Sequence, residues 1–211
     1  MPLRLFSTPR PVQALLPGFT WRKPQADKTV YLTFDDGPIP EVTEFVLAEL
    51  QKYQAQATFF CVGDNIQKYP HLAQRAVVVG HQLANHTFNH LRGRKTPATE
   101  YLTNVQACAT TLQAVTNIKI NNLFRPPYGS LTRTQYKLLK PDFQIIMWDV
   151  LTYDFDQQLL PEICLQRALQ NTKPGSIVVF HDSLKARRNL EYVLPRYMAH
   201  LNKLGFRFKA L

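Results

Sequence analysis

The sequence predicts an α/β fold: a distorted (β/α) barrel of about seven parallel strands with outer helices. Three observations predict it. Short β-rich runs alternate with stretches of helical periodicity along most of the 211 residues. The runs are apolar on both faces, as strands of a covered parallel sheet are. Polar residues gather where the runs end, and in a (β/α) barrel those ends form one rim. A doubly wound open sheet is the competing architecture. No GxGxxG or Walker loop follows a strand, so a nucleotide site has no support.

A Pro-rich arm over residues 1–27 precedes one domain over 28–211. The expected strands are TVYLTF (29–34), ATFFCV (57–62), HQLAN (81–85), NLFRP (122–126), QIIMWD (144–149), SIVVFH (176–181) and FRFKAL (206–211). Helices are expected over 41–53, 97–115, 160–172 and 187–205. The second has Thr96 as its cap and Pro97 as its first residue. The fourth carries Pro195, which should kink it, and ends at Gly205. Parallel strands joined by helices imply right-handed crossovers.

Composition narrows the function classes. A hydrophobic content of 45% is ordinary for a globular chain, and no apolar run approaches the ~20 residues of a membrane helix. The first 21 residues make a poor signal peptide, because Pro9, Pro11 and Pro17 break the short apolar stretch. A cytoplasmic location is the expectation, with envelope association the alternative. Cys61, Cys108 and Cys164 are far apart and form no CxxC, so they read as buried thiols. The formal charge of +10 admits nucleic acid or an anionic cell-wall polymer as partner, and reads first as a solvated basic face. RGRK (92–95) and KARR (185–188) are short and come without a nucleic-acid motif, so no nucleic-acid partner is expected. His71, His81 and His200 lie away from the strand ends and read as structural. Trp21 reads as a packing anchor and Trp148 as core. A monomer is the expected state.

The strand ends carry the chemistry. The first ends at Asp35 and Asp36, the third at His86 within NHTFNH, and the fourth at RPPYG (125–129). The fifth runs into WDVLTYDF, with Asp149 and Asp154, and the sixth into HDS, with His181 and Asp182. His86 and His90 are four apart, which on a helical turn puts both rings on one face. Two imidazoles and a carboxylate suit a catalytic divalent metal with open positions. Of two adjacent carboxylates, one can ligate while the other faces a water and takes its proton. Arg125 can hold that base ionised, and His181 can protonate a leaving group. These are the parts for hydrolysis of an amide or ester.

TFDDGP, HTFNH, RPPYG and VVFHDS stand in the order and approximate spacing of the polysaccharide deacetylases, carbohydrate esterase family four or NodB homology domain. The resemblance runs over about residues 28–208. It implies a distorted (β/α) barrel and removal of N-acetyl groups from amino sugars, on chitooligosaccharides, peptidoglycan or a related glycan. It implies Asp35 as catalytic base, oriented by Arg125, and Asp36, His86 and His90 as ligands of one divalent metal. That metal is usually zinc, with cobalt or manganese able to serve. It implies the Tyr128 N–H as oxyanion donor and His181 as general acid. One place departs from the family pattern: Leu151 and Phe155 stand where many members have Asp and Trp. This leaves open what orients His181. Of Asp149, Asp154 and Asp182, Asp154 at the rim is the expected support. The rival readings are a cyclic imide or ureide hydrolase on the same fold and a non-catalytic glycan-binding protein. The latter would be marked by missing ligands, and none is missing.

Overall fold

The computed structural model describes residues 4–24, 27–117 and 121–211. Residues 1–3 and 25–26 of the expected arm lie outside the described residues. The strands are β1 (Thr29–Asp35), β2 (Thr58–Cys61), β3 (Gln82–Asn85), β4 (Leu123–Phe124), β5 (Gln144–Ile145), β6 (Val150–Leu151), β7 (Ile177–His181) and β8 (Arg207–Lys209). They join one sheet in the order β5-β4-β3-β2-β1-β7-β6, with β8 added to β1. Every registered strand pair is parallel.

The residues of β1 alternate between two environments, as strand geometry requires. Val30, Leu32 and Phe34 face the large outer core, against Val46 and Leu50 of α2 (Val42–Lys52) and Val193 and Tyr197 of α8 (Arg187–Lys203). Tyr31 turns the other way, into an inner cluster with Phe60, Ala84, Leu123, Ile146 and Ile177. Thr33 and Asp35 share the Tyr31 face, so the strand's last residue enters the barrel interior at its rim.

The two edge strands of the sheet, β5 and β6, are consecutive in the chain. Of the expected strand over 144–149 only Gln144 and Ile145 are strand, in β5, and β6 begins beyond it, on the opposite edge. Residues 146–149 span the gap, bonding to the flanking strands, with Ile146 N–H to Phe124 C=O (2.8 Å) and Asp149 N–H to Ile177 C=O (3.0 Å), and to the N-terminal arm. Thr20 N–H donates to Ile145 C=O (2.9 Å) and Met147 N–H to Thr20 C=O (2.8 Å). Further along, Thr8 N–H donates to Asp149 C=O (2.9 Å) and Leu151 N–H to Phe6 C=O (3.1 Å). These bonds satisfy backbone groups that an open barrel would leave bare.

Other helices are α1 (Arg10–Leu15), α3 (Gly63–Lys68), α4 (Pro70–Val78), α5 (Ala98–Thr116), α6 (Arg133–Leu139) and α7 (Pro161–Asn171). The helices α1, α3, α4 and α6 were not expected from the sequence. The start of α6 had a readable signal, since Thr132 and Gln135 form a reciprocal capping box. Thr96 does not cap α5. Pro97 takes that place with no side-chain bond, and the Thr96 hydroxyl donates to Arg92 C=O. α8 continues through Pro195 as one helix. Among the described residues no helix is long and apolar enough to cross a membrane.

Candidate active site

Parallel register assembles the site. The ends of β1 and β7 are paired, Asp35 with His181, so base and acid candidates come from adjacent strands. β3 pairs β4 at Asn85 and Phe124, which sets His86 and Arg125 side by side one residue on.

Asp35 and Arg125 are both buried. Arg125 Nη1 donates to Asp35 Oδ1 at 2.6 Å and to Thr33 Oγ1 at 2.7 Å. Nη2 donates to Met147 C=O at 3.0 Å, and the guanidinium lies 4.0 Å from the centroid of Phe60. A buried charge is tolerable only when paired and hydrogen-bonded. Here one carboxylate oxygen and main-chain carbonyls supply the partners, so Asp35 is held in one orientation with Oδ2 left over.

Asp36 turns away from Asp35 because its backbone is left-handed, with φ 84°. Its carbonyl accepts from Asn65 Nδ2 (2.7 Å), which pins that turn. Asp36 Oδ1 lies 3.1 Å from His90 Nε2 and 3.7 Å from His86 Nε2. The segment joining the two histidines is not helical, contrary to the sequence expectation. Thr87 (φ 64°) and His90 (φ 54°) adopt left-handed backbone, and this bend sets the rings 5.1 Å apart. Phe88 and Asn89 N–H groups both donate to Asn104 Oδ1, so α5 holds the bend.

The donor set fits a divalent metal. One atom from each of Asp36, His86 and His90 falls within 4.8 Å of the others. His86 Nδ1 lies 2.7 Å from Arg125 C=O, which can only accept. Nδ1 therefore carries the hydrogen, and Nε2 presents its lone pair toward Asp36. Burial pushes the His86 pKa down to about 4, keeping the ring neutral and fit to ligate. Burial raises the Asp36 carboxyl, but the His90 hydrogen bond and the nearby His181 charge outweigh it and hold its pKa well below the usual carboxylate range.

His181 meets Asp154 twice. Its N–H donates to Asp154 Oδ2 (2.7 Å), and its ring Nδ1 lies 2.8 Å from Oδ1. Burial lowers the imidazole pKa, but the Asp154 carboxylate raises it by more, to about 9. Asn189 Nδ2 donates to Asp154 C=O at 3.0 Å, so α8 fixes the loop that carries this carboxylate. Phe155 places its ring edge-on at 4.8 Å from His181. Asp149 is elsewhere: it accepts from Ser176 Oγ (2.6 Å) and pairs with Arg22. Leu151 lines the pocket wall.

Asp182, a candidate support of His181 in the sequence, instead sits behind the Asp35–Asp36 turn. Its Oδ1 accepts from Gly37 N–H (3.0 Å) and its Oδ2 from the Thr43 hydroxyl (2.6 Å). Burial raises its pKa to about 8. The register that pairs Asp35 with His181 is the signal that places the next residues of both strands together. A Cβ on Gly37 would lie 1.9 Å from Asp182 Oδ2. That carboxylate is pinned and buried, so Gly37→Ala is expected to cost about 1–3 kcal/mol, read as a lower Tm, with activity lost alongside. An unchanged Tm would show that the turn relaxes freely.

Tyr128 holds a left-handed backbone (φ 60°), and its exposed ring packs 4.7 Å from His90, under the Arg92 guanidinium at 4.2 Å. The turn's own bonds run from Gly129 N–H to Pro126 C=O and from Ser130 N–H to Pro127 C=O, and do not use the Tyr128 N–H. The resulting pocket, of about 400 Å³, opens onto Asp35, Asp36, His86, His90 and His181. Trp148, expected in the core, is half-buried and lines this pocket beside Leu151 and Lys185. His81 is buried and accepts from Ala57 N–H. Trp21 is packed inward, its indole N–H donating to Leu16 C=O.

Comparison with known proteins places the fold in a family. The family model for polysaccharide deacetylases matches residues 22–141. A peptidoglycan-N-acetylglucosamine deacetylase of Bacillus cereus is 32% identical over 192 residues, 90% of this chain and 89% of that protein. A chitooligosaccharide deacetylase of Azorhizobium caulinodans is 32% identical over 75% of each chain. Among solved structures, a peptidoglycan N-acetylglucosamine deacetylase in complex with 4-naphthalen-1-yl-N-oxidanyl-benzamide superposes with a TM-score of 0.88. It shares 28% identity and covers 97% of this chain and 95% of its own. A pseudoenzyme of the CE4 family from Bacillus anthracis reaches 0.81 at 26% identity, covering 90% of this chain and 66% of its own. The chain belongs to the polysaccharide deacetylase family.

Proposed function

We propose that this protein is a metal-dependent hydrolase that removes N-acetyl groups from acetylated amino sugars, releasing acetate and a free amine. The observation that carries the reading is the Asp36–His86–His90 cluster flanked by the buried pair Asp35–Arg125 and the half-buried pair His181–Asp154. A protein that shares the fold without activity has no need to keep a carboxylate–arginine pair and a histidine–carboxylate pair on either side of a ligand set. The relatives named as deacetylases support the same reading.

Asp36, His86 and His90 would hold the divalent ion, and an N2O set with open positions suits zinc. The ion supplies Lewis acidity and eases deprotonation of a water at neutral pH. Asp35, held in place by Arg125, takes the proton of the attacking water as its oxygen bonds to the acetyl carbon. The Tyr128 N–H donates to the oxygen that becomes negative in the tetrahedral state. His181, with Nδ1 bound to Asp154, gives its Nε2 proton to the departing nitrogen as the C–N bond breaks. The amine and acetic acid leave, the acid ionises to acetate, His181 regains a proton from solvent and Asp35 sheds its own to solvent.

The test is acetate release from N-acetylated chitooligosaccharides and peptidoglycan fragments, with and without chelator. Release that stops with chelator and returns with added zinc is expected. Full hydrolysis by metal-free protein, checked by elemental analysis, would contradict the metal assignment. Release only of ring-opened product from cyclic imides would favour the rival chemistry.

A further inference from the structure

A second groove adjoins the catalytic pocket and is the larger, about 560 Å³ against about 400 Å³. Such a volume lies in the range of small-ligand sites. The two share Pro126 and are parted by the turn at Tyr128–Gly129 and by the step from Met147 to Trp148. Neighbouring residues of an extended segment point to opposite sides, so Trp148 lines the catalytic pocket and Met147 the groove. Gly129, at φ +61°, lets the turn lie on both: a Cβ there would come within 2.8 Å of Trp148 and 3.2 Å of Met147.

The far wall is aromatic and comes from the N-terminal arm. Phe19 packs 4.8 Å from Tyr136 and 6.0 Å from Trp21. Arg94, Arg133 and Lys140 line the groove too, and all three are exposed. No acidic residue lines it. Among the described residues, none of these three cations has a carboxylate at ion-pair distance. The groove thus combines flat apolar surface with uncompensated positive charge. The deacetylation chemistry uses none of it.

We propose that this groove binds a carboxylate-bearing branch of the glycan whose acetyl group occupies the catalytic pocket. The proposal rests on the deacetylase reading and narrows its substrate to an acidic acetylated glycan over a neutral one. A neutral oligosaccharide meets the aromatic wall but leaves three cations without a counter-charge. A branch with carboxylates meets both. Exposed pairs of this kind are screened by salt, so the preference falls as ionic strength rises.

Two measurements separate this proposal from the reading beneath it. The chain has two tryptophans, one in each cavity. In Trp148→Phe, Trp21 fluorescence reports the groove without catalysis. Titration with an N-acetylated glycan strand carrying peptide carboxylates should change that signal in a salt-sensitive way. A neutral chitooligosaccharide of equal length should bind far more weakly. In the kinetic arm, Arg133→Glu/Lys140→Glu should raise KM for the acidic glycan about tenfold, each exposed pair being worth a few-fold. Its kcat, and both constants for the neutral oligomer, should stay within twofold. Equal effects on both substrates, or none, overturn the proposal, as does tighter binding of a single-stranded oligonucleotide than of the acidic glycan. Absence of acetate release from every substrate by the parent protein overturns the deacetylase reading instead, and the Trp21 titration still decides the groove.

Discussion

Asp35→Asn is expected to leave metal bound and to lower kcat by roughly 10²–10⁴-fold, the usual worth of a positioned base. Asp36→Asn is expected to lose the metal. The two carboxylates are neighbours in sequence but not in chemistry, because the left-handed backbone at Asp36 sends its side chain to His86 and His90. Asp35 keeps the strand direction and meets Arg125 at 2.6 Å. The same contact sets a second consequence. Removing one charge of a buried pair leaves the other uncompensated, at a cost of about 3–5 kcal/mol when no hydrogen bond survives. Asn keeps an acceptor for Arg125 Nη1, so Asp35→Asn should fall below that range and Asp35→Ala within it. Metal content by elemental analysis, Tm and single-turnover rates read the three effects separately. Equal metal loss in both Asn variants would refute the division between them.

The place of the site was legible in the sequence for a physical reason, whereas the division between Asp35 and Asp36 came only from the family resemblance. In a parallel barrel, strand ends converge, so the polar residue after each apolar run marks the site without any knowledge of contacts. Asp35, His86, Arg125 and His181 all follow that rule. What stayed hidden depends on backbone bends that no periodicity encodes. The HTFNH segment reads as a helical turn, yet two left-handed residues and Asn104 of α5 bring its histidines together. QIIMWD reads as one strand, but it ends after Ile145, where the chain leaves one edge of the curled sheet and crosses to the other. That crossing also takes Trp148 out of the core. Asp182 was hidden because its partner is a backbone N–H at Gly37, 145 residues away in sequence. The groove brings Arg94 and the Arg133–Lys140 helix against an arm in which the sequence offers Trp21 as a packing anchor but nothing that says what it packs beside.

Asp154→Asn should lower activity by about 10²–10⁴-fold, the order seen when a carboxylate that orients a catalytic histidine becomes an amide. His181 Nδ1 sits 2.8 Å from Asp154 Oδ1. A carboxylate there accepts the Nδ1 hydrogen and stabilises the imidazolium, whereas an amide can turn its NH2 to the ring and favour the wrong tautomer. The pH profile isolates the effect. His181 acts as an acid only while protonated, so activity is lost as pH rises through its pKa. Burial alone would put that pKa below the ordinary 6.5, and Asp154 more than reverses this, to about 9. The alkaline limb of the parent should therefore lie above 6.5, and in Asp154→Asn it should move down. The stability carried by this pair has the same sign. It is fully present below pH 6.5 and is lost as pH rises toward 9, so the parent's Tm advantage over Asp154→Asn should shrink across that window. Metal content should not change, because Asp154 touches none of Asp36, His86 or His90. An alkaline limb that overlays the parent's would show that His181 takes its proton affinity from elsewhere.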